Sequence, residues 1–119
     1  MTIEDNLYEK SIKILTDLIA FKTVSGQDNS ELINYCEKIL NDLEIETFKV
    51  FDENKIRVNL FGTLKAKNTN GKKPIILSGH TDVVPVSKGW SSDPFTATIK
   101  DNKLFGRGSC DMKGFIACT

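Results

Sequence analysis

The sequence predicts a mixed α/β fold with a largely parallel sheet that is flanked by helices and incomplete. Two stretches in the first third of the chain carry apolar side chains at helical spacing. Beyond them, the continuous apolar run Ile75-Ile76-Leu77 is typical of a strand buried on both faces of a parallel sheet. Such a sheet needs helices on both faces, and two helices with a short third are too few to cover both faces of a complete sheet. We therefore expect an unfinished sheet.

The two helices have different start signals. The first is predicted over about 2–20, with its apolar stripe facing a core. The second runs over about 28–43, where Asp28 resembles the first residue of a capping box, although Asn29 or Ser30 could equally be the cap.

The strands follow the helices. Residues 47–51 and the alternating stretch 56–60 predict two strands that a turn at 52–55 joins. The run 75–77 is the predicted central strand. The remaining elements are two short strands and the start of a helix, at 95–99, 104–105 and 113–119.

Composition excludes several classes of partner. The chain has 119 residues, with sixteen basic and sixteen acidic ones, so no basic surplus favours nucleic acid or an anionic membrane. No apolar run is long enough to span a bilayer, and the N-terminal residues do not have the pattern of a signal peptide. Three irregularly spaced cysteines are typical of reduced thiols. We expect a cytoplasmic protein.

The only histidine follows the central apolar run. His80 and Asp82 lie where the strand should end, and the active sites of parallel sheets gather at that end. At a two-residue spacing in extended chain, both side chains project to the same side. The pair therefore suits an imidazole that ligates a metal while a carboxylate orients it. A lone histidine is nevertheless more often a surface or core residue without such a role.

A glycine-rich turn precedes a second carboxylate. Gly106 and Gly108 permit tight backbone turns before Asp111, which could bridge two cations or simply cap the following helix. The glycines do not form a dinucleotide fingerprint, since Asp111 stands where its third glycine would be. Ser109 is not in a nucleophile elbow. Lys113 is expected to be solvated or ion-paired rather than to hold an anionic substrate group.

Taken together, these stretches resemble a known family. The motifs are Phe21-Lys22-Thr23-Val24-Ser25, Gly79-His80-Thr81-Asp82-Val83-Val84-Pro85, Trp90-Ser91-Ser92-Asp93-Pro94-Phe95 and Gly106-Arg107-Gly108-Ser109-Cys110-Asp111-Met112-Lys113-Gly114-Phe115. They resemble the acetylornithine deacetylases, in the dinuclear-zinc family that also holds succinyl-diaminopimelate desuccinylase, aminoacylase and carboxypeptidase G2-like enzymes. The likeness runs from about residue 15 to 119, and the motifs favour the acetylornithine branch.

The resemblance implies roles for three residues. His80 would ligate one zinc, and Asp82 would orient its imidazole and raise its basicity. Asp111 would bridge two zinc ions, or cobalt in their place, and precede a cis peptide bond. The ions would activate a shared water to attack the amide of a small N-acyl amino acid. The implied reaction is hydrolysis of N-acetyl-L-ornithine to L-ornithine and acetate in arginine biosynthesis.

Members of this family are roughly three times as long and are homodimers, with a dimerisation domain inserted in the catalytic domain. Residues 1–119 are therefore expected to be the N-terminal segment of the catalytic domain, without the dimerisation domain and the rest of the catalytic domain. The general-base glutamate and further ligands would lie outside it, so the chain alone should be inactive. The alternatives are a non-catalytic remnant, a weak metal-binding or partner-binding module, or an enzyme for other N-acyl amino acids such as N-succinyl-diaminopimelate.

Overall fold

The computed structural model describes residues 3–119, so the start of the first predicted helix at Thr2 lies outside the described residues. The mixed α/β class is confirmed. In chain order the elements are α1 (Ile3–Ala20), α2 (Ser30–Asp42), β1 (Glu46–Phe51), β2 (Val58–Thr63), β3 (Thr98–Lys100), β4 (Lys103–Phe105), a kinked helical turn (Ser109–Lys113) and α3 (Gly114–Cys118). Within residues 3–119, no helix is long and apolar enough to cross a membrane.

The chain forms two compact units, of which the first is discontinuous. Among residues 3–119, the first unit comprises residues 3–26 and 79–119, and the second comprises Gln27–Ser78. The second unit is thus an insertion in the sequence of the first.

The second unit is a helix packed on a hairpin. Strands β1 and β2 pair antiparallel, with Phe48 opposite Phe61, as the alternating pattern predicts. Asn29 is the residue before α2, and its side chain makes no capping bond to the helix. Instead its side chain accepts a hydrogen bond from the Val58 amide at 2.8 Å and donates to the Val58 carbonyl at 3.0 Å. This paired contact fixes the start of α2 against the start of β2.

In the first unit, α1 packs against α3 and the kinked turn. Leu18 and Ile19 are fully buried, and Ala117 of α3 is 8% exposed. Gly106 lies so close to α1 that a Cβ there would come within 2.8 Å of the Ile19 side chain. The hairpin of β3 and β4 turns at residues 101–102, which both have positive φ and so match a two-residue loop of the primed type.

The predicted central strand is wrong in this structure. Ile75, Ile76 and Leu77 have no regular secondary structure and are 89%, 83% and 65% exposed. A buried strand needs a neighbour on each side to accept and donate its backbone hydrogen bonds, and none pairs with this run within residues 3–119. Both sheets there are two-stranded and antiparallel, and the parallel pairing is one bridge between Val24 and Val83. The expected incompleteness of the sheet is confirmed.

Candidate metal centre

A short parallel bridge holds the predicted site against the end of α1. The Val83 amide donates to the Thr23 carbonyl at 2.9 Å, and the Ser25 amide donates to the Val83 carbonyl at 2.9 Å. The Thr23 hydroxyl donates to the Thr81 carbonyl at 2.6 Å. Thr23 and Val83 are 4% and 3% exposed, so the bridge is part of the core of the first unit. It fixes the backbone on both sides of Asp82.

The imidazole of His80 lies between two carboxylates. Its Nε2 is 2.9 Å from Asp111 Oδ1. Its Nδ1 is 3.2 Å from Asp82 Oδ1 and 3.1 Å from the Asp82 carbonyl oxygen. The structure therefore brings together all three residues that the sequence singled out. Of these, the sequence predicts two as metal ligands, His80 and Asp111, and Asp82 as the residue that orients the imidazole. Their roles towards a metal remain predictions.

Asp111 reaches His80 from the kinked turn. Gly108 has φ +86°, a conformation that side chains other than glycine rarely adopt. A Cβ at Gly114 would collide with the carbonyl oxygen of Ser109, so glycine is required on the other side of the turn as well. The Asp111–Met112 peptide bond is cis, as the family resemblance implies.

Lys113 anchors this turn to α1. Its side chain is fully buried, and its ammonium donates to the Leu18 carbonyl at 2.8 Å and the Phe21 carbonyl at 2.7 Å. Its own amide donates to the Gly108 carbonyl at 2.8 Å. The last turn of α1 contains no basic residue, so Lys113 supplies the positive charge that a helix C-terminus favours. The expectation of a solvated side chain is wrong for this lysine.

Hydrogen bonds set the charges of the site. Partial burial lowers the pKa of His80, but bonds to the Asp82 carbonyl and the Asp111 carboxylate outweigh it and raise the pKa above its usual value. The pKa of Asp82 is lowered, mainly because the Ser25 hydroxyl donates to its Oδ2 at 2.5 Å. Asp82 is therefore ionised at neutral pH and acts as an acceptor.

The donor set fits part of a zinc site. Imidazole nitrogen and carboxylate oxygen are ordinary zinc ligands, and ligand atoms around a tetrahedral zinc lie about 3.3–3.6 Å apart for bonds of about 2.0–2.2 Å. The 2.9 Å between His80 Nε2 and Asp111 Oδ1 would have to open by only a few tenths of an ångström. Within residues 3–119, no group of three or more His, Cys, Asp or Glu side chains is placed to hold a metal ion. As ligands, His80 and Asp111 would therefore be two members of a larger set.

Comparison with known proteins gives the family. Residues 76–119 match the model of Peptidase family M20/M25/M40. An acetylornithine deacetylase of Photorhabdus laumondii is 41% identical over 115 residues, which cover 89% of this chain and 29% of that protein. A succinyl-diaminopimelate desuccinylase of Afipia carboxidovorans is 40% identical over 114 residues, which cover 92% of this chain and 28% of that protein.

A solved structure agrees with this fold. Human carnosine dipeptidase 1 matches with a TM-score of 0.69 and 22% identity, over 95% of this chain and 27% of that one. This chain therefore shares the fold of the matching part of that α/β protein. Residues 76–119 are similar to peptidase family M20/M25/M40, and the resemblance to acetylornithine deacetylases seen in the motifs is confirmed. It spans less than a third of the length of these relatives.

Proposed function

We propose that this chain forms part of a metal-dependent amidohydrolase of the acetylornithine deacetylase type, which hydrolyses N-acetyl-L-ornithine to L-ornithine and acetate. Residues 1–119 would be the N-terminal segment of its catalytic domain. The observation that carries the proposal is the position of the His80 imidazole, with Nε2 at 2.9 Å from Asp111 and Nδ1 beside Asp82. The names of the relatives support the reaction type.

In this proposal His80 and Asp111 are ligands of zinc, or of cobalt in its place, with two ions in the complete site. The ions would act as Lewis acids and lower the pKa of water so that it attacks an amide carbonyl at neutral pH. Further ligands and a general base would come from outside residues 3–119, because a catalytic zinc normally has three protein ligands.

The side chains of this chain orient the ligand atoms. When Nδ1–H of His80 donates to Asp82, Nε2 keeps a lone pair that points towards Asp111. Asp111 uses Oδ1 for this contact, and its second oxygen is available to a second cation. Its side chain is 86% exposed, so this second oxygen is accessible. One residue can therefore serve both metal positions.

The substrate proposal depends on the relatives. Acetylornithine deacetylases are prominent among the similar proteins, which favours an N-acetyl substrate. The Afipia desuccinylase, at 40% identity, keeps N-succinyl-diaminopimelate as a second candidate. Both are small N-acyl amino acids, and we propose a cytoplasmic, homodimeric enzyme for either.

A chimeric enzyme tests the proposal. The matching 115 residues of the Photorhabdus deacetylase would be replaced by those of this chain. We expect zinc- or cobalt-dependent release of acetate from N-acetylornithine, and its loss in the His80→Ala chimera. A folded, metal-loaded chimera that cleaves only N-succinyl-diaminopimelate would contradict the substrate. Cobalt absorption of the 119-residue chain, lost on His80→Ala, checks the ligand role if the chimera does not fold. Cobalt binding that His80→Ala leaves unchanged would instead favour a weak module or remnant.

A further inference from the structure

We propose that Ser25 is a positioning residue that determines which nitrogen of the His80 imidazole carries the proton, by holding the Asp82 carboxylate in place. The inference rests on the proposed function only in taking Nε2 as the metal-ligating atom. No step of the proposed hydrolysis uses Ser25.

The contact of Ser25 with Asp82 is short and directed. The Ser25 hydroxyl is 2.5 Å from Asp82 Oδ2, whereas its alternative acceptor, the Val83 carbonyl, is 3.4 Å away. A hydroxyl has one proton to donate, and bonds of this type are optimal near 2.7 Å, so the carboxylate is the acceptor. The Ser25 amide also donates to the Val83 carbonyl at 2.9 Å, which fixes the backbone that presents the hydroxyl.

This contact limits rotation of the Asp82 side chain. With Oδ2 held by Ser25, Oδ1 remains 3.2 Å from His80 Nδ1. The Asp82 side chain is 53% exposed, so without the hydroxyl it could turn towards water. Ser25 therefore keeps an acceptor at Nδ1 that solvent would otherwise compete for.

The two nitrogens of His80 compete for one proton when the ring is neutral. Nδ1 has the Asp82 carboxylate and the Asp82 carbonyl as acceptors, and Nε2 has the Asp111 carboxylate at 2.9 Å. Protonation at Nδ1 leaves Nε2 able to bind a metal, whereas protonation at Nε2 blocks it. Loss of Ser25 weakens one side of this balance. Because the carbonyl remains, the expected change is several-fold rather than complete.

The sequence makes the test direct, because His80 is the only histidine. Long-range ¹H–¹⁵N spectra of the labelled 119-residue chain at alkaline pH, where the ring is neutral, report the ratio of the two tautomers without assignment. We expect Ser25→Ala to reduce the ratio of the Nδ1–H form to the Nε2–H form about threefold or more. Ser25→Thr keeps the hydroxyl and should restore it. Ser91→Ala, another serine of the first unit, should leave it unchanged.

The zinc affinity of the chimera, measured by competition with a chelator, gives the second test. Partners that orient ligating histidines are worth about 10–100-fold in metal affinity, and Ser25 acts one step further away, so Ser25→Ala should weaken zinc binding by up to about tenfold. An unchanged tautomer ratio in Ser25→Ala, with unchanged circular dichroism, would overturn the role of Ser25. A folded chimera that binds no zinc would overturn the metal assignment instead, and the tautomer ratio would still decide the role of Ser25.

Discussion

Lys113 Nζ lies 2.8 Å from the carbonyl oxygen of Leu18, a residue 95 positions earlier in the chain. The contact joins the turn that carries Asp111 to the end of the helix that precedes Thr23 and Ser25. A buried lysine thus connects the two segments that carry the candidate site, the turn with Asp111 and the end of α1.

Replacing Lys113 by Met should destabilise the first unit. The carbonyls of Leu18 and Phe21 would lose their ammonium donor, and a buried group left unsatisfied costs about 1–3 kcal/mol. The measurement is the free energy of unfolding in urea. Lys13→Met is the matched control, because Lys13 is 75% exposed in its pair with Asp17 and such pairs contribute about 0–1 kcal/mol. Equal losses in both variants would contradict the anchoring role.

Asp82→Asn should separate orientation from ligation. In the chimera we expect turnover to fall about 10–100-fold while most of the zinc is retained. The neutral amide of asparagine lacks the negative charge with which the Asp82 carboxylate stabilises Nδ1–H of His80. Metal analysis and rates measured on the same sample check this, with Asp101→Asn of the hairpin turn as control. Complete loss of zinc from a folded Asp82→Asn protein would make Asp82 a direct ligand.

The isolated 119-residue chain should not hydrolyse N-acetylornithine at an enzyme-like rate. His80 and Asp111 are two ligands, whereas a catalytic zinc normally has three, and general acid–base catalysis alone contributes about 10²–10⁴-fold. The assay uses the purified chain with added zinc or cobalt. Turnover that His80→Ala abolishes would show that these residues suffice.

The β1–β2 turn should respond to acid. Asp52 accepts hydrogen bonds from the amides of Arg57 and Ile56 at 3.0 Å each, and the Arg57 bond is the main cause of its lowered pKa. Because the folded pKa lies below the unfolded value of about 3.8, this stabilisation is complete above that value. It is lost as the pH falls through the folded pKa.

An NMR titration of the Asp52 carboxyl group measures this pKa, and urea unfolding at several acidic pH values measures the loss. The Asp52→Asn variant should show a weaker dependence of stability on pH in that range. A carboxyl group that titrates above 3.8 would contradict the prediction.

The sequence predicted the local elements well, because each depends on neighbours in the chain. Helical spacing gave both long helices, and alternation gave the hairpin of β1 and β2. The run Ile75-Ile76-Leu77 failed because its pattern describes a strand whose hydrogen-bonding partners must come from elsewhere. Three apolar residues cannot bury both of their own faces, because other elements must cover them.

The candidate site shows the same division. His80, Asp82 and Asp111 could be chosen from motifs whose residue types suit a metal. Ser25 and Lys113 were in quoted motifs, but their roles depend on contacts between residues more than 50 positions apart. A hydroxyl or an ammonium group carries no sequence signal for the acceptor it will meet. Only the fold supplies that information.

The insertion of the second unit bears on the order in which the protein assembles. Thr23 and Thr81 are 58 positions apart, and closing a flexible loop of that length costs about 3–4 kcal/mol of chain entropy beyond a constant. The β1–β2 hairpin lies within that loop and needs only nearby residues, so its amides should become protected before that of Val83 in pulsed hydrogen exchange. Once that segment is compact, less free chain remains to be closed. The contacts around the imidazole of His80 would then form late, after the β1–β2 hairpin has folded.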